Sequence, residues 1–309
     1  MGLRLALLAA DLVARSVPAP VAYALADLGG RLWYRASPAR RRVVEENLRR
    51  VCAATGRPER GRAFRSLVRR AFVEHARYYL ELLRAPHYPM AGIERHVVAE
   101  DWDRWVAVFR GGAVVALPHL GNFEPYGTFV VKHGIRAVAP VEEIRPRALF
   151  DFLRARRASG RVELVPLSRA RGPLLAALRR GEVAALVADR DLTGDGIAVT
   201  LFGHPVTLPA GPASLALITG RPLIGARCLR VGPDRFSGRA WLVDVPRTGE
   251  RRRDIEALTR ALARGFEEAI AEAPEQWWGA FQPFWPDLRS AERRRLVADR
   301  TRARGRTAA

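Results

Sequence analysis

The chain has 309 residues, 49% of them hydrophobic, enough for a sizeable core in one large α/β domain, the favoured reading, or in two small ones. Its 52 Lys and Arg against 32 Asp and Glu leave a formal net charge of +20, with Lys132 the sole lysine, so an anionic partner or surface is expected. Cys52 and Cys228 are too few for a disulfide framework and have no Cys or His neighbour at metal-ligand spacing. They read as buried thiols, and no metal site is expected. No run reaches the ~20 apolar residues that cross a bilayer; the longest uncharged N-terminal run, residues 16–26, is short and holds Pro18 and Pro20.

In chain order, residues 3–13 and 21–34 read as two short helices with apolar faces. Leu5, Leu8 and Leu12 share one face; Val21, Leu25, Leu28 and Leu32 share the other, which ends at Trp33 and Tyr34 between Arg31 and Arg35. Such faces suit a membrane interface, and they equally suit packing on a core. Asp11 and Arg15 interrupt the likeness to a signal peptide, so this stretch is read as mature protein. Ser37-Pro38 opens a third helix, whose Arg40, Arg41, Arg42, Arg49 and Arg50 form either a phosphate-facing patch or a solvated face. Residues 60–84 form a long amphipathic helix with Phe64, Leu67, Val68, Phe72, Ala76, Tyr79, Leu80 and Leu83 as its core stripe.

From Val97 the pattern alternates. A helix at 102–109 precedes a strand at 113–117, then a helix at 123–131, a strand at 136–140, a helix at 146–158, a strand at 162–166, a helix at 173–180 and a strand at 183–188. Two later strands, 222–229 and 239–245, precede a helix at 254–273. Strands alternating with helices of this length predict an α/β fold: a largely parallel central sheet flanked by helices, with an N-terminal helical subregion. The Arg-rich stretch 289–309 reads as a basic tail, either touching anionic lipid or inert.

The stretch from Gly111 to Glu124, GGAVVALPHLGNFE, moves from a buried-strand pattern to a polar cluster. Ala113 to Leu117 suits a strand buried on both faces, His119 follows its end, and Gly121-Asn122 reads as a turn and helix cap. Ligands in open α/β sheets bind at strand carboxyl ends. Glu124 on the first helical turn can reach back to His119, as a carboxylate that orients an imidazole and raises its basicity. The alternative is a sheet-edge histidine with Glu124 only capping a helix. A second polar cluster, Asp189-Arg190-Asp191, closes the strand at 183–187 and could equally be a loop of local Asp/Arg pairs. Asp191 to Gly196 begins like a calcium loop, but Phe202 stands where the bidentate Glu belongs, which excludes calcium.

His-x4-Asp/Glu after a hydrophobic strand resembles the glycerolipid-type acyltransferases. The fuller LPHLGNFEPYG resembles the branch containing the lipid A lauroyl-type and phosphatidylinositol mannoside acyltransferases. The segments 141–160, 162–168 and 188–220 resemble the latter group, so the likeness runs over most of the chain. It implies one acyltransferase domain at 1–288, with a membrane-facing helical part at 1–90 and a catalytic part at 91–288. It also implies His119 as general base, Glu124 and Asp189 as its carboxylates, and Glu142 and Arg157 shaping the site or meeting the headgroup. Those enzymes usually carry Asp where this chain has Glu124 and Glu where it has Asp189, which keeps the charge and changes the reach.

The expected reaction is transfer of an acyl chain from acyl-CoA or acyl carrier protein to a hydroxyl of an anionic glycolipid, at the cytoplasmic face of the plasma membrane. The acceptor is a phosphatidylinositol mannoside or, second, a lipid A precursor. Backbone amides around Gly121 and Asn122, or the Arg190 guanidinium, are the candidate oxyanion donors, and Asp191 completes the substrate-side set. Without a G-x-S-x-G elbow or a Cys-His pairing, direct transfer is favoured over an acyl-enzyme. No cofactor is expected beyond the acyl-CoA co-substrate. The charge alone would also fit a nucleic-acid-binding protein, but no basic stripe interleaved with aromatics and no zinc knuckle supports one, and nucleic acid is not expected as a partner.

Overall fold

The computed structural model describes residues 2–143, 151–152 and 162–290. The helix expected at 146–158, apart from residues 151–152, and the tail beyond 290 lie outside the described residues.

Four helices come first: α1 (Gly2–Ser16), α2 (Ala19–Ala36), α3 (Pro38–Ala54) and α4 (Gly61–Arg84). The remainder is built on a seven-stranded sheet ordered β1-β9-β8-β2-β5-β3-β4. Its strands are β1 (Val97–Ala99), β2 (Val114–Leu117), β3 (Ala137–Val141), β4 (Glu163–Pro166), β5 (Val183–Val187), β8 (Leu223–Gly232) and β9 (Arg235–Leu242). Strands β8, β2, β5, β3 and β4 run parallel, while β9 returns antiparallel to β8 and carries β1 parallel to itself. The expected largely parallel α/β sheet is therefore present. A separate antiparallel pair, β6 (Ile197–Leu201) and β7 (His204–Leu208), was not foreseen. Its sequence reads as loop because Gly203 and Pro205 punctuate it.

Helices α5 (Trp102–Arg110) and α6 (Glu124–Lys132) accompany β2, and α7 (Arg171–Arg179), α8 (Gly211–Thr219) and α9 (Arg251–Glu272) follow later in the chain. The main core joins α3 and α4 to one sheet face and to Leu258, Leu262 and Phe266 of α9, with Trp277 and Trp285 fully buried at its centre. The opposite face carries a smaller cluster around Trp105, Phe109, Ile135 and Ala137. Both cysteines are buried free thiols.

The stripe of α4 departs from expectation in its second half. Phe64, Leu67, Val68 and Phe72 are buried as predicted, but further on His75, Tyr78, Glu81 and Leu82 point inward while Tyr79 is 53% exposed. Glu81 occupies a buried position there because the Tyr23 hydroxyl, Arg230 and Asn122 donate to it, which outweighs apolar periodicity.

Helix α2 meets α4 at Gly30, where a Cβ would lie 2.6 Å from the Val73 Cα and 2.8 Å from the Phe72 carbonyl. Neither backbone atom can yield as a side chain would. Gly30→Ala is expected to destabilise the fold by about 1–3 kcal/mol through overpacking, read as a lower urea midpoint at unchanged slope.

Candidate active site

Strands β2 and β5 are parallel neighbours in which Leu117 lies opposite Val187. Equal steps beyond that pair bring His119 and Asp189 side by side at the carboxyl end of the sheet, the position where such sheets place ligands. His119 Nδ1 donates to Asp189 Oδ1 at 2.5 Å and the His119 amide donates to Oδ2 at 3.1 Å. A third donor, Trp277 Nε1, reaches Oδ2 at 3.1 Å. A carboxylate accepts only, so Nδ1 carries the proton in this contact and Nε2 is the nitrogen able to take one.

Asp189 is fully buried. Burial by itself raises its pKa, but the His119 ring, the Trp277 indole and the His119 amide outweigh that and hold it below the ordinary carboxylate range. Buried Asp189, rather than Glu124, is thus what holds Nδ1. Glu124 begins α6, and its amide donates to Asn122 Oδ1 at 3.0 Å.

The turn between His119 and Glu124 is locked by backbone contacts. Gly121 sits at φ 61°, and a Cβ there would come 1.9 Å from the Cys228 carbonyl oxygen, so only glycine fits. The Gly121 amide donates to Gln276 O and the Asn122 amide to Cys228 O, both at 3.0 Å. Trp278 straps the other side, its amide donating to His119 O at 2.8 Å and its Nε1 to Gly121 O at 2.8 Å. The amides of Gly121 and Asn122, expected as oxyanion donors, are therefore committed to the protein itself, and Asn122 is fully buried.

His119, with its side chain 26% exposed, lines a cavity of about 1010 Å³ together with Glu124, Glu142 and Arg190. That is the upper end of the ~300–1,000 Å³ typical of small-molecule sites. Val115, Leu117, Ala137, Ala139, Ala185 and Val187 contribute one sheet face to it. Alternate residues of three adjacent strands share a face, and the small side chains in this set leave room above it. This corrects the expectation of two-sided burial for β2, since Val115 is only partly buried.

Arg190 also lines the cavity; among the described residues no side-chain bond ties it down. Asp191 instead builds its own loop, accepting from the amides of Thr193 at 3.1 Å, Gly194 at 2.8 Å and Gly196 at 3.1 Å. Arg157 lies outside the described residues. Neither Trp277 nor Trp278 was singled out for the site beforehand; the only available signal was two adjacent indole donors just past a helix end. His75 is a second cavity histidine, and it stacks on Phe281 at 4.1 Å. Burial, reinforced by Arg40, pushes its pKa down to about 3, so it stays neutral. No group of His, Cys, Asp and Glu among the described residues could hold a metal ion.

The Asp189 contact has a measurable pH signature. Its folded-state pKa lies below the ordinary ~3.9, so the unfolded chain takes up the proton first as pH falls. The stabilisation is then complete above about pH 5 and lost as pH drops through the folded-state value. The stability advantage of wild type over Asp189→Asn in urea titrations is expected to be largest above pH ~5 and to shrink toward pH ~3.

Comparison with known proteins gives the same picture over most of the chain. A family model for bacterial lipid A biosynthesis acyltransferases matches residues 3–285. The phosphatidylinositol mannoside acyltransferase of Mycobacterium tuberculosis is 34% identical over 237 residues, covering 72% of this chain and 71% of its own. Its namesake from Mycolicibacterium smegmatis is 34% identical over 238 residues, covering 74% and 76% respectively. A match over this span, together with a histidine on a buried carboxylate at the end of a central parallel strand, means that the chain belongs to the bacterial lipid A biosynthesis acyltransferase family and is an acyltransferase.

Proposed function

We propose that the protein moves a fatty acyl chain from an acyl-CoA or acyl carrier protein thioester to a hydroxyl of a phosphatidylinositol mannoside at the cytoplasmic face of the membrane. The observation that carries this reading is His119, oriented through Nδ1 by buried Asp189 and lining a largely apolar cavity.

His119 Nε2 takes the proton of the acceptor hydroxyl as its oxygen attacks the thioester carbonyl. The C–O bond forms, the carbonyl oxygen becomes an oxyanion, and collapse breaks the C–S bond. The imidazolium returns the proton to the departing thiolate, while Asp189 stabilises its charge. With the Gly121 and Asn122 amides committed, the Arg190 guanidinium is the donor assigned to the oxyanion. Glu124 faces the same cavity and orients the acceptor hydroxyl. The apolar sheet face holds the acyl chain, and Glu142 meets the polar headgroup. All bonds made and broken belong to donor and acceptor, so acyl-CoA enters as co-substrate and no cofactor is needed.

Among the described residues no helix is long and apolar enough to cross a membrane. Helices α1 and α2 nonetheless expose Leu12, Val13, Val21, Leu25, Leu28 and Leu32, each more than half exposed. A patch of this kind marks a docking surface. With Arg31 and Arg35 beside it and a net charge of +20, a peripheral anionic bilayer is the surface proposed. A second acceptor class, lipid A precursors, is favoured by the description of the matching family.

Radiolabelled palmitoyl-CoA offered with phosphatidylinositol mannosides and lipid A precursors tests the reaction. Wild type is expected to label the mannoside and His119→Ala to lose ~10² to 10⁴ in rate. Labelling of the lipid A precursor alone would transfer the assignment to the second class, and an undiminished His119→Ala would remove His119 as base. For the surface, Leu25→Glu with Leu28→Glu is expected to weaken flotation with anionic vesicles at least roughly tenfold, since a buried leucine contributes about 1.5–3 kcal/mol.

A further inference from the structure

Beneath the His119 turn lies a buried ion network that takes no direct part in the chemistry above. Its centre is Glu81 of α4, which has no exposed surface. Oε1 accepts from the Tyr23 hydroxyl at 2.7 Å and from Arg230 Nε. Oε2 accepts from Arg230 Nη2 at 2.8 Å and from Asn122 Nδ2 at 2.9 Å. Arg230 is held in turn by Glu74. Taking such charges out of water is costly, and an apolar cluster of equal volume is commonly no less stable. A demand for stability therefore does not account for a carboxylate at this point.

We infer that Glu81 is a positioning residue for the acyl transfer, acting through Asn122. A carboxylate only accepts, so Glu81 dictates that the NH₂ end of the Asn122 amide faces it. The carbonyl end must then point the other way, where Oδ1 accepts the Glu124 amide and sets the start of α6. Reversed, the amide would turn its oxygen against the carboxylate and leave the Glu124 amide facing NH₂. The same network braces the preceding residue: Gln276 exchanges two bonds of 2.9 Å with the Arg230 backbone and accepts the Gly121 amide through its own carbonyl. Glu81 thus governs where Glu124 sits relative to His119, without touching substrate. The inference rests on the His119 to Glu124 turn being the site of acyl transfer.

The test pairs an activity cycle with a readout that needs no activity. Glu81→Gln keeps the volume and removes the acceptor-only character. It is expected to lower kcat on the order of 10- to 100-fold with KM for the acyl donor little changed, the pattern of misplaced catalytic groups. In an Asn122→Ala background the same change is expected to cost less than about twofold, because both act on one link. Combining Glu81→Gln with Asn122→Asp restores a donor facing a carboxylate and keeps an oxygen on the Glu124 amide, so kcat should recover in part. In ¹⁵N spectra the Asn122 side-chain NH₂, assigned by its loss in Asn122→Ala, is expected to be slow to exchange in wild type and to lose that protection in Glu81→Gln. Fully multiplicative losses in the cycle, or Asn122 protection unchanged by Glu81→Gln, would overturn the inference. If Glu81→Gln does not fold, Asn122→Ala alone decides it, since wild-type kcat there excludes the link. Absence of acyl transfer by wild type would count against the proposed reaction, while the exchange readout would still decide the Glu81 contact.

Discussion

A carboxylate with no solvent contact must find all its donors within the protein, and Asp189 is such a group. Its oxygens collect the His119 ring, the His119 amide and the Trp277 indole, and each donor imposes a constraint. The ring fixes the tautomer, the amide fixes the path of the chain leaving β2, and the indole fixes the segment that follows α9. Because an unpaired buried charge costs several kcal/mol, these three segments are tied together by one side chain. The remaining features of the site are arranged around that requirement.

The turn from His119 to Glu124 is constrained from its other side by a second buried carboxylate, Glu81. Between them the two acids hold the ends of the motif: Asp189 sets the imidazole, while Glu81 sets Asn122 and through it the helix that begins at Glu124. Gly121 makes this possible, since the approach of the Cys228 carbonyl leaves no room for a Cβ. The site is therefore rigid by hydrogen bonding rather than by apolar packing alone. Rigidity of this kind suits the role proposed for His119, since a base's efficiency depends on its distance to the hydroxyl.

A division of labour between the two sheet faces follows. One face packs against α7, α8 and α9 and belongs to the main core. The other presents alanines and valines beneath α5 and α6, and there the cavity lies. Tyr23 ties α2 to Glu81 by a buried hydrogen bond, so the helix bearing the exposed leucines is joined directly to the support of the site.

Much of this was legible in the residues. Helical periodicity marked α1 to α4 because a helix packed on one side repeats its apolar positions. The run from Ala113 to Leu117 ending in Pro-His marked both the central strand and His119. Local patterns of this sort arise from interactions within a few residues, and they are written into the chain itself. Tertiary structure alone decided which carboxylate holds the histidine. His119 and Asp189 are 70 residues apart, and they meet only because β2 and β5 pair in parallel with Leu117 opposite Val187. Likewise the inward turn of Glu81, the Trp277 indole on Asp189 and the engagement of the Gly121 and Asn122 amides depend on partners from distant segments. No periodicity encodes them, because a buried polar group is placed by the one donor or acceptor that satisfies it, and that partner is known only once the strands have paired.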